Sequence, residues 1–246
     1  FNRKHLWKNI EVLWKILRSL RQAKRIIKKF NPDVVVGVGG FASGPTLKAA
    51  ESLGIPTLIQ EQNSYAGVTN KFLAKGANKI CVAYTNMDRF FPKDKLLLTG
   101  NPVRQNLLDN TYNRAEAVRG FSLDPNKPVV LILGGSLGAQ SINDCLLSEV
   151  DRMNQSNTQF IWQTGKLYID RIQKQVKDKK LNNVIITDFI SDMAKAYAAA
   201  DLVVSRAGAG SISEFCLLTK AVLLIPSPNV AEDHQTKNAL ALVNKN

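Results

Sequence analysis

Apolar residues fall into short unbroken runs, and each run is followed by a stretch with helical spacing. Residues 33–38 (DVVVGV) follow Asn31-Pro32 and end in glycines, which predicts a strand. Further strands are predicted over 57–60, 79–83 and 96–99, with helices over 45–53 and 67–75 between them. The pattern then restarts at 128–133 (PVVLIL). Strands follow over 159–163, 184–187, 202–205 and 222–225, and helices after 138 and over 167–177, 192–200 and 212–218. The runs are continuously apolar rather than alternating, as expected of parallel strands covered on both faces. Two such βα series predict an α/β chain of two doubly wound, Rossmann-like domains. The seam lies between Gly100 and about Lys127, with the boundary near Arg104 and domains of 1–103 and 104–246.

Before these series, residues 10–30 read as one helix. Leu13, Ile16, Leu20, Ala23, Ile27 and Phe30 form its core stripe. A second line runs beside it: Ile10, Trp14 and Leu17, then Arg21, Lys24 and Lys28, with Trp7 just ahead.

Composition sharpens this picture. The 246 residues carry a net charge of +13, and the first thirty hold ten basic residues against the single acid Glu11. The remainder is near neutral, so the charge belongs to the first helix. Apolar and aromatic residues beside lysines and arginines suit an anionic membrane surface. The alternatives are a solvated basic face with Trp14 buried against a preceding segment, and nucleic-acid binding. The latter lacks any groove-reading module or interleaved aromatic platform. No run approaches the length of an apolar membrane span. Cys81, Cys145 and Cys216 have no CxxC spacing, and His5 and His234 are the only histidines, so neither a disulfide framework nor a metal site is expected.

Three strand-to-helix turns are rich in small residues: 37–44 (GVGGFASG), 134–138 (GGSLG) and 207–211 (AGAGS). Each would aim backbone N–H groups and a helix N-terminus at an anion, as a phosphate requires, or would serve only as a tight turn. The segment Gly37-Val38-Gly39-Gly40-Phe41-Ala42 also fits the G-x-G-x-x-G/A dinucleotide fingerprint, with Glu61 placed 19 residues past Ala42. An NAD-binding oxidoreductase domain is therefore the competing reading. Against it, Glu61 stands in a polar cluster (EQN) and the phosphate-loop design recurs in the second series.

In that second series, Arg206 precedes the AGAGS turn and Glu214 lies one turn into the next helix. Glu214 could accept hydrogen bonds from ribose hydroxyls, or simply complement the helix dipole. Asp233-His234-Gln235-Thr236-Lys237-Asn238 could meet a sugar's hydroxyls, or His234 could be a surface residue at a helix start. There is no Asp-x-Asp; the nearest pattern, Glu149-Val150-Asp151, reads as a solvated face. A departing diphosphate would then be stabilised by helix N-termini and an arginine rather than by a metal ion.

Long ordered matches carry a resemblance: 37–45 (GVGGFASGP), 61–74 (EQNSYAGVTNKFLA), 100–104 (GNPVR), 134–143 (GGSLGAQSIN), 189–214 (FISDMAKAYAAADLVVSRAGAGSISE) and 233–239 (DHQTKNA). On these the chain resembles the MurG family, the UDP-N-acetylglucosamine:lipid I N-acetylglucosaminyltransferases of bacterial peptidoglycan synthesis. The resemblance implies the GT-B fold, two Rossmann-like domains facing across a cleft. It also implies inverting, metal-independent transfer of GlcNAc from UDP-GlcNAc to the C4 hydroxyl of MurNAc in lipid I, giving lipid II, with roles in cell-wall biogenesis, cell shape and cell division. No cofactor is implied, UDP-GlcNAc being a substrate, and no nucleic-acid partner. The implied location is peripheral, at the cytoplasmic face of the inner membrane.

The resemblance also implies residue roles. Ile190 meets the uracil edge, with Met193 nearby. Glu214 binds the ribose. Ser136, Ala209, Gly210 and Ser211 hold the diphosphate, with Ile212 and Ser213 in the same donor-binding segment. His234 and Gln235 contact GlcNAc, and Asn63 and Arg104 approach the donor. Gly39, Gly40, Ser43 and Gly44 face the acceptor's diphosphate. The family's first glycine-rich loop, with a histidine often proposed as general base, would lie upstream of Phe1, and its C-terminal segment would follow Asn246. The expectation is therefore a piece truncated at both ends, with no assigned catalytic base, binding donor weakly without turnover.

Overall fold

The computed structural model describes residues 8–109, 111–135 and 137–244. The chain divides into two compact units, Phe1–Asn101 and Pro102–Asn246.

In the first unit, helix α1 (Lys8–Phe30) precedes β1 (Val35–Gly37), α2 (Gly40–Ser52), β2 (Thr57–Glu61), α3 (Val68–Leu73), β3 (Lys79–Val82) and β4 (Leu96–Leu98). The four strands are parallel, in the order β1-β2-β3-β4. Ile59, Ile80 and Val82 pack with Leu47 of α2 and Leu73 of α3 into one core. Register places Val36 and Leu97 on the opposite face, and both are exposed. Expected cover on both faces is thus incomplete in this unit among the described residues. The helix expected from Pro45 begins at Gly40, because Gly39, at φ +87°, turns the chain sharply out of β1. Pro45 lies in its second turn, where the missing N–H forfeits one ladder bond.

The stripe expected along α1 holds only around Ala23 and Ile27. Ile27 is buried against Ala49 and Ala50 of α2, with Ala23 beside it, whereas Ile16 and Phe30 are exposed.

The second unit contains α4 (Gln105–Leu108), α5 (Arg114–Arg119), β5 (Val129–Leu133), α6 (Gln140–Ser148), α7 (Val150–Gln155), β6 (Gln159–Gln163), α8 (Ile169–Val176), β7 (Val184–Thr187), α9 (Met193–Ala199), β8 (Leu202–Ser205), α10 (Ala209–Leu217), β9 (Val222–Leu224) and α11 (His234–Val243). Its parallel sheet runs β7-β6-β5-β8-β9. Alternate residues serve two faces. Leu131, Ile161 and Val203 pack toward Val118, Tyr197 and Phe215, while Ile132 and Trp162 pack toward Ile142, Met153 and Ile172. Helices α4 and α5, in the stretch read as a seam, are part of this unit: Leu107, Ala117 and Val118 are core residues.

The sheet order reverses between β5 and β8. The chain moves outward through β6 and β7, then returns to the other side of β5. The loops leaving β5 and β8 therefore diverge, and open α/β sheets bind ligands in the crevice so formed at the strands' carboxyl ends.

Candidate functional site

A cavity of about 930 Å³ occupies that crevice in the second unit. Gly134, Gly135 and Gly138 line it from the β5 loop, and Arg206, Gly208, Gly210 and Ser211 from the β8–α10 turn. Ile190 and Met193 line it from the start of α9, and Ser227 and Gln235 from the segment after β9. The last three residues of the AGAGS turn, Ala209, Gly210 and Ser211, open α10, with Gly208 at an N-cap that has no side-chain cap bond. Its partly positive helix end therefore opens into the cavity.

Hydrogen bonds between separate elements hold the walls together. Arg206 donates from Nη1 to the carbonyls of Ile225 and Pro226 at 3.2 and 3.1 Å, and from Nη2 to Ser141 Oγ at 2.8 Å. One guanidinium thus ties β9 and α6 to the turn after β8. Asn143, fully buried, donates to the Thr164 carbonyl at 2.9 Å and accepts from Trp162 Nε1 at 2.9 Å. This fixes the loop after β6 beneath the GGSLG turn. Asp192 caps α9 by accepting from Lys195 N, and takes the Tyr112 hydroxyl at 2.7 Å. Those two hydrogen bonds hold its carboxyl below the usual range.

Glu214 is the one carboxylate of the α10 first turns that lines the cavity. Its Oε2 accepts from the Tyr197 hydroxyl at 2.7 Å, and its Oε1 lies 4.0 Å from Arg104 Nε. Burial, then the hydrogen bond to Glu214, push the Tyr197 phenol well above its ordinary value, so it remains a donor.

Of the residues assigned to the donor, Arg104, Ile190, Met193, Gly210, Ser211, Glu214 and Gln235 line this one cavity. Ser136 lies outside the described residues. Ile212 turns inward, 3% exposed, and its N–H donates to Gly208 O within the helix. Ser213 Oγ donates to Ala209 O, and Ala209 opens the helix. His234 Nδ1 sits 2.9 Å from Ala231 O and is not among the described lining residues, whereas Gln235 lines the cavity and takes Ser227 N at 2.8 Å. Sequence reasoning missed Tyr197, Asn143 and Gly165. The last carries a positive φ of 82° behind the GGSLG turn, a requirement with no local motif to announce it.

In the first unit, Gly39 and Gly40 both have positive φ at the start of α2. Ser43 Oγ donates to Gly39 O at 2.7 Å, and Gly44 approaches Thr69. Asn63 belongs to this unit, where its N–H and Nδ2 both donate to Glu61 Oε1. Glu61 is 1% exposed, and its other oxygen accepts from Gly67 N and Asn70 Nδ2 at 3.0 and 2.8 Å. This corrects the dinucleotide reading, since a carboxylate spent on four internal hydrogen bonds is not open to a ribose.

Along α1, Trp14 and Leu17 are exposed together with Arg21, Lys24 and Lys28. Trp7 and the Ile10 side chain lie outside the described residues. Among the described residues no helix is long and apolar enough to cross a membrane, and no group of three His, Cys, Asp or Glu could hold a metal ion.

Two parallel α/β units, the second with a crevice at its strand-order reversal, define a Rossmann-like protein. Residues 1–82 match the glycosyltransferase family 28 N-terminal domain and residues 129–246 the glycosyltransferase family 28 C-terminal domain. Two proteins named UDP-N-acetylglucosamine--N-acetylmuramyl-(pentapeptide) pyrophosphoryl-undecaprenol N-acetylglucosamine transferase are similar to the whole chain. That of Phocaeicola vulgatus is 64% identical and that of Parabacteroides distasonis 57%, and the chain spans 66% and 67% of their lengths. The crystal structure of Acinetobacter baumannii MurG is 35% identical with a TM-score of 0.70, covering 94% of this chain and 64% of that one. The chain belongs to glycosyltransferase family 28, and its two units are those of the GT-B fold.

Proposed function

We propose that this chain is the larger part of an inverting hexosyltransferase that moves GlcNAc from UDP-GlcNAc to the C4 hydroxyl of MurNAc in lipid I, giving lipid II. The observation that carries the reading is Glu214, a carboxylate one turn inside the open N-terminus of α10, in a cavity rimmed by two glycine-rich turns. That pairing suits a nucleoside diphosphate, with the carboxylate accepting from ribose hydroxyls and the helix end facing the phosphates. Ile190 and Met193 supply an apolar wall for the base, and Gln235 faces the sugar.

In this mechanism the acceptor hydroxyl attacks C1 of GlcNAc opposite the diphosphate. The new O–C1 bond forms as the C1–O bond to UDP breaks, and the hydroxyl proton passes to a base to which no residue here is assigned. The negative charge growing on UDP is met by the α10 N-terminus and the glycine-turn amides rather than by a metal ion. Ser136 is assigned to the diphosphate with them, and Arg104 approaches the donor. Gly39, Gly40, Ser43 and Gly44 face the acceptor's diphosphate at the start of α2.

Helix α1 serves as the peripheral docking surface on the anionic cytoplasmic leaflet that carries the lipid-linked acceptor. Trp7, Ile10, Trp14 and Leu17 enter the interface, and Arg21, Lys24 and Lys28 pair with lipid phosphates. Calorimetric titration with UDP-GlcNAc in the presence of EDTA tests the donor reading. Binding that persists there and is lost in Glu214→Ala supports it. Binding that requires added Mg²⁺, or that survives the substitution unchanged, contradicts it.

A further inference from the structure

Tyr197 lines the cavity, although only 2% exposed, and meets Phe215 edge-on with ring centroids 5.9 Å apart. Its ring is therefore fixed by the core between α9 and α10, and its hydroxyl reaches Glu214 Oε2 at 2.7 Å. A glutamate on a helix has three rotatable side-chain torsions, and restricting them has an entropic cost when a ligand must do it. Here the protein has already done so: one oxygen is held by a buried donor, and the other faces Arg104 and the cavity.

We propose that Tyr197 is the positioning residue that makes this site selective for ribose over 2′-deoxyribose. Its phenol fixes the Glu214 carboxylate so that the free oxygen and the remaining lone pair meet two vicinal hydroxyls at once. The inference rests on the reading of Glu214 as the ribose-binding group. A freely rotating carboxylate would still bind one hydroxyl, but would lose the penalty that a well-placed acceptor imposes on a ligand lacking the other.

The test compares UDP with 2′-deoxy-UDP by calorimetry on the chain and on Y197F, E214A and F215L. The unsubstituted chain should favour UDP. In Y197F the affinity for UDP should fall about tenfold, the scale of one net hydrogen bond, while that for 2′-deoxy-UDP stays within about twofold, so that the ratio shrinks. F215L disturbs the same packing but leaves the phenol and the carboxylate, and should keep the ratio. An unchanged ratio in Y197F, with E214A abolishing it, overturns the role of Tyr197 alone. Equal shrinkage in F215L and Y197F also overturns it, because packing would then be the cause. A ratio unchanged in E214A, or no binding of UDP by the unsubstituted chain, overturns the ribose reading and this inference with it.

Discussion

Gly138, which lines the crevice of the second unit, meets Gly165 backbone to backbone. A Cβ on Gly165 would lie 2.3 Å from Gly138 N, and one on Gly138 would lie 2.1 Å from the Thr164 carbonyl. Both residues also have positive φ, which side chains adopt only with strain. Gly165→Ala should therefore destabilise the unit by about 2 kcal/mol or more and lower its melting temperature by roughly 2–4 °C per kcal/mol. Nucleotide affinity should fall with it, because the GGSLG turn must shift. An alanine variant with unaltered melting and binding would show that the two loops are not in contact.

Arg206 reaches two carbonyls and one hydroxyl on separate elements. A lysine keeps the charge but cannot span three acceptors in one plane. Arg206→Lys should weaken UDP binding about tenfold, since each lost bond is worth about 1 kcal/mol. Titration calorimetry reads this directly. An unchanged affinity would mean that charge alone matters at this position.

Asp201 ties the N-terminal side of the second unit together. It receives Arg114 through Nε and Nη2 at 2.8 and 2.6 Å, and Val129 N at 2.8 Å. Partial burial opposes its ionisation, but the Arg114 hydrogen bond and the Val129 N–H outweigh that and lower its pKa. A carboxylate with a lowered folded-state pKa contributes stability above its unfolded value of about 3.9 and loses it as pH falls through the folded value. Acid unfolding should therefore steepen below about pH 4, and Asp201→Asn should flatten that part of the profile. With the pair partly open to solvent, the neutral-pH cost should be about 1 kcal/mol at most. An unchanged acid profile in D201N would contradict this.

The exposed Trp14 and Leu17 beside Arg21, Lys24 and Lys28 predict salt-sensitive binding to anionic vesicles. Each basic residue near such a surface contributes about 1 kcal/mol. Reversing Lys24 and Lys28 to glutamate should weaken vesicle sedimentation by well over tenfold at low salt, and Trp14→Ala should weaken it independently of salt. Vesicle binding that ignores the charge reversal would remove α1 from the docking role.

Regular elements are legible where a compact apolar run stands between polar or turn-forming residues. The strands at 159–163, 184–187 and 202–205 fall at the residues read from sequence, because β-branched and large apolar residues fill their centres. Helix starts at Gly40 and Ala209 were read late, since glycine and alanine in a first turn look like loop until the strand before them fixes the geometry. Helices α4 and α5 lie in the stretch that the sequence marks only as a seam: each is short, and their burial depends on α9, far along the chain. In the crevice, the glycines and Glu214 stood out by type and spacing. Tyr197 and Asn143 did not, because a tyrosine and an asparagine among core positions reveal their role only when the partner is seen. Glu61 shows the converse, a well-spaced acid whose oxygens are spent on its own loop.

The central claim is that the crevice of the second unit takes a uridine diphosphate sugar. Thermal unfolding of the chain with UDP-GlcNAc or with NAD tests it most directly, since a ligand that binds only the folded state raises the melting temperature by mass action. UDP-GlcNAc should raise it by several degrees at concentrations where NAD does not, and Glu214→Ala should abolish the difference. An equal or larger shift with NAD, or no shift with UDP-GlcNAc, would contradict the account.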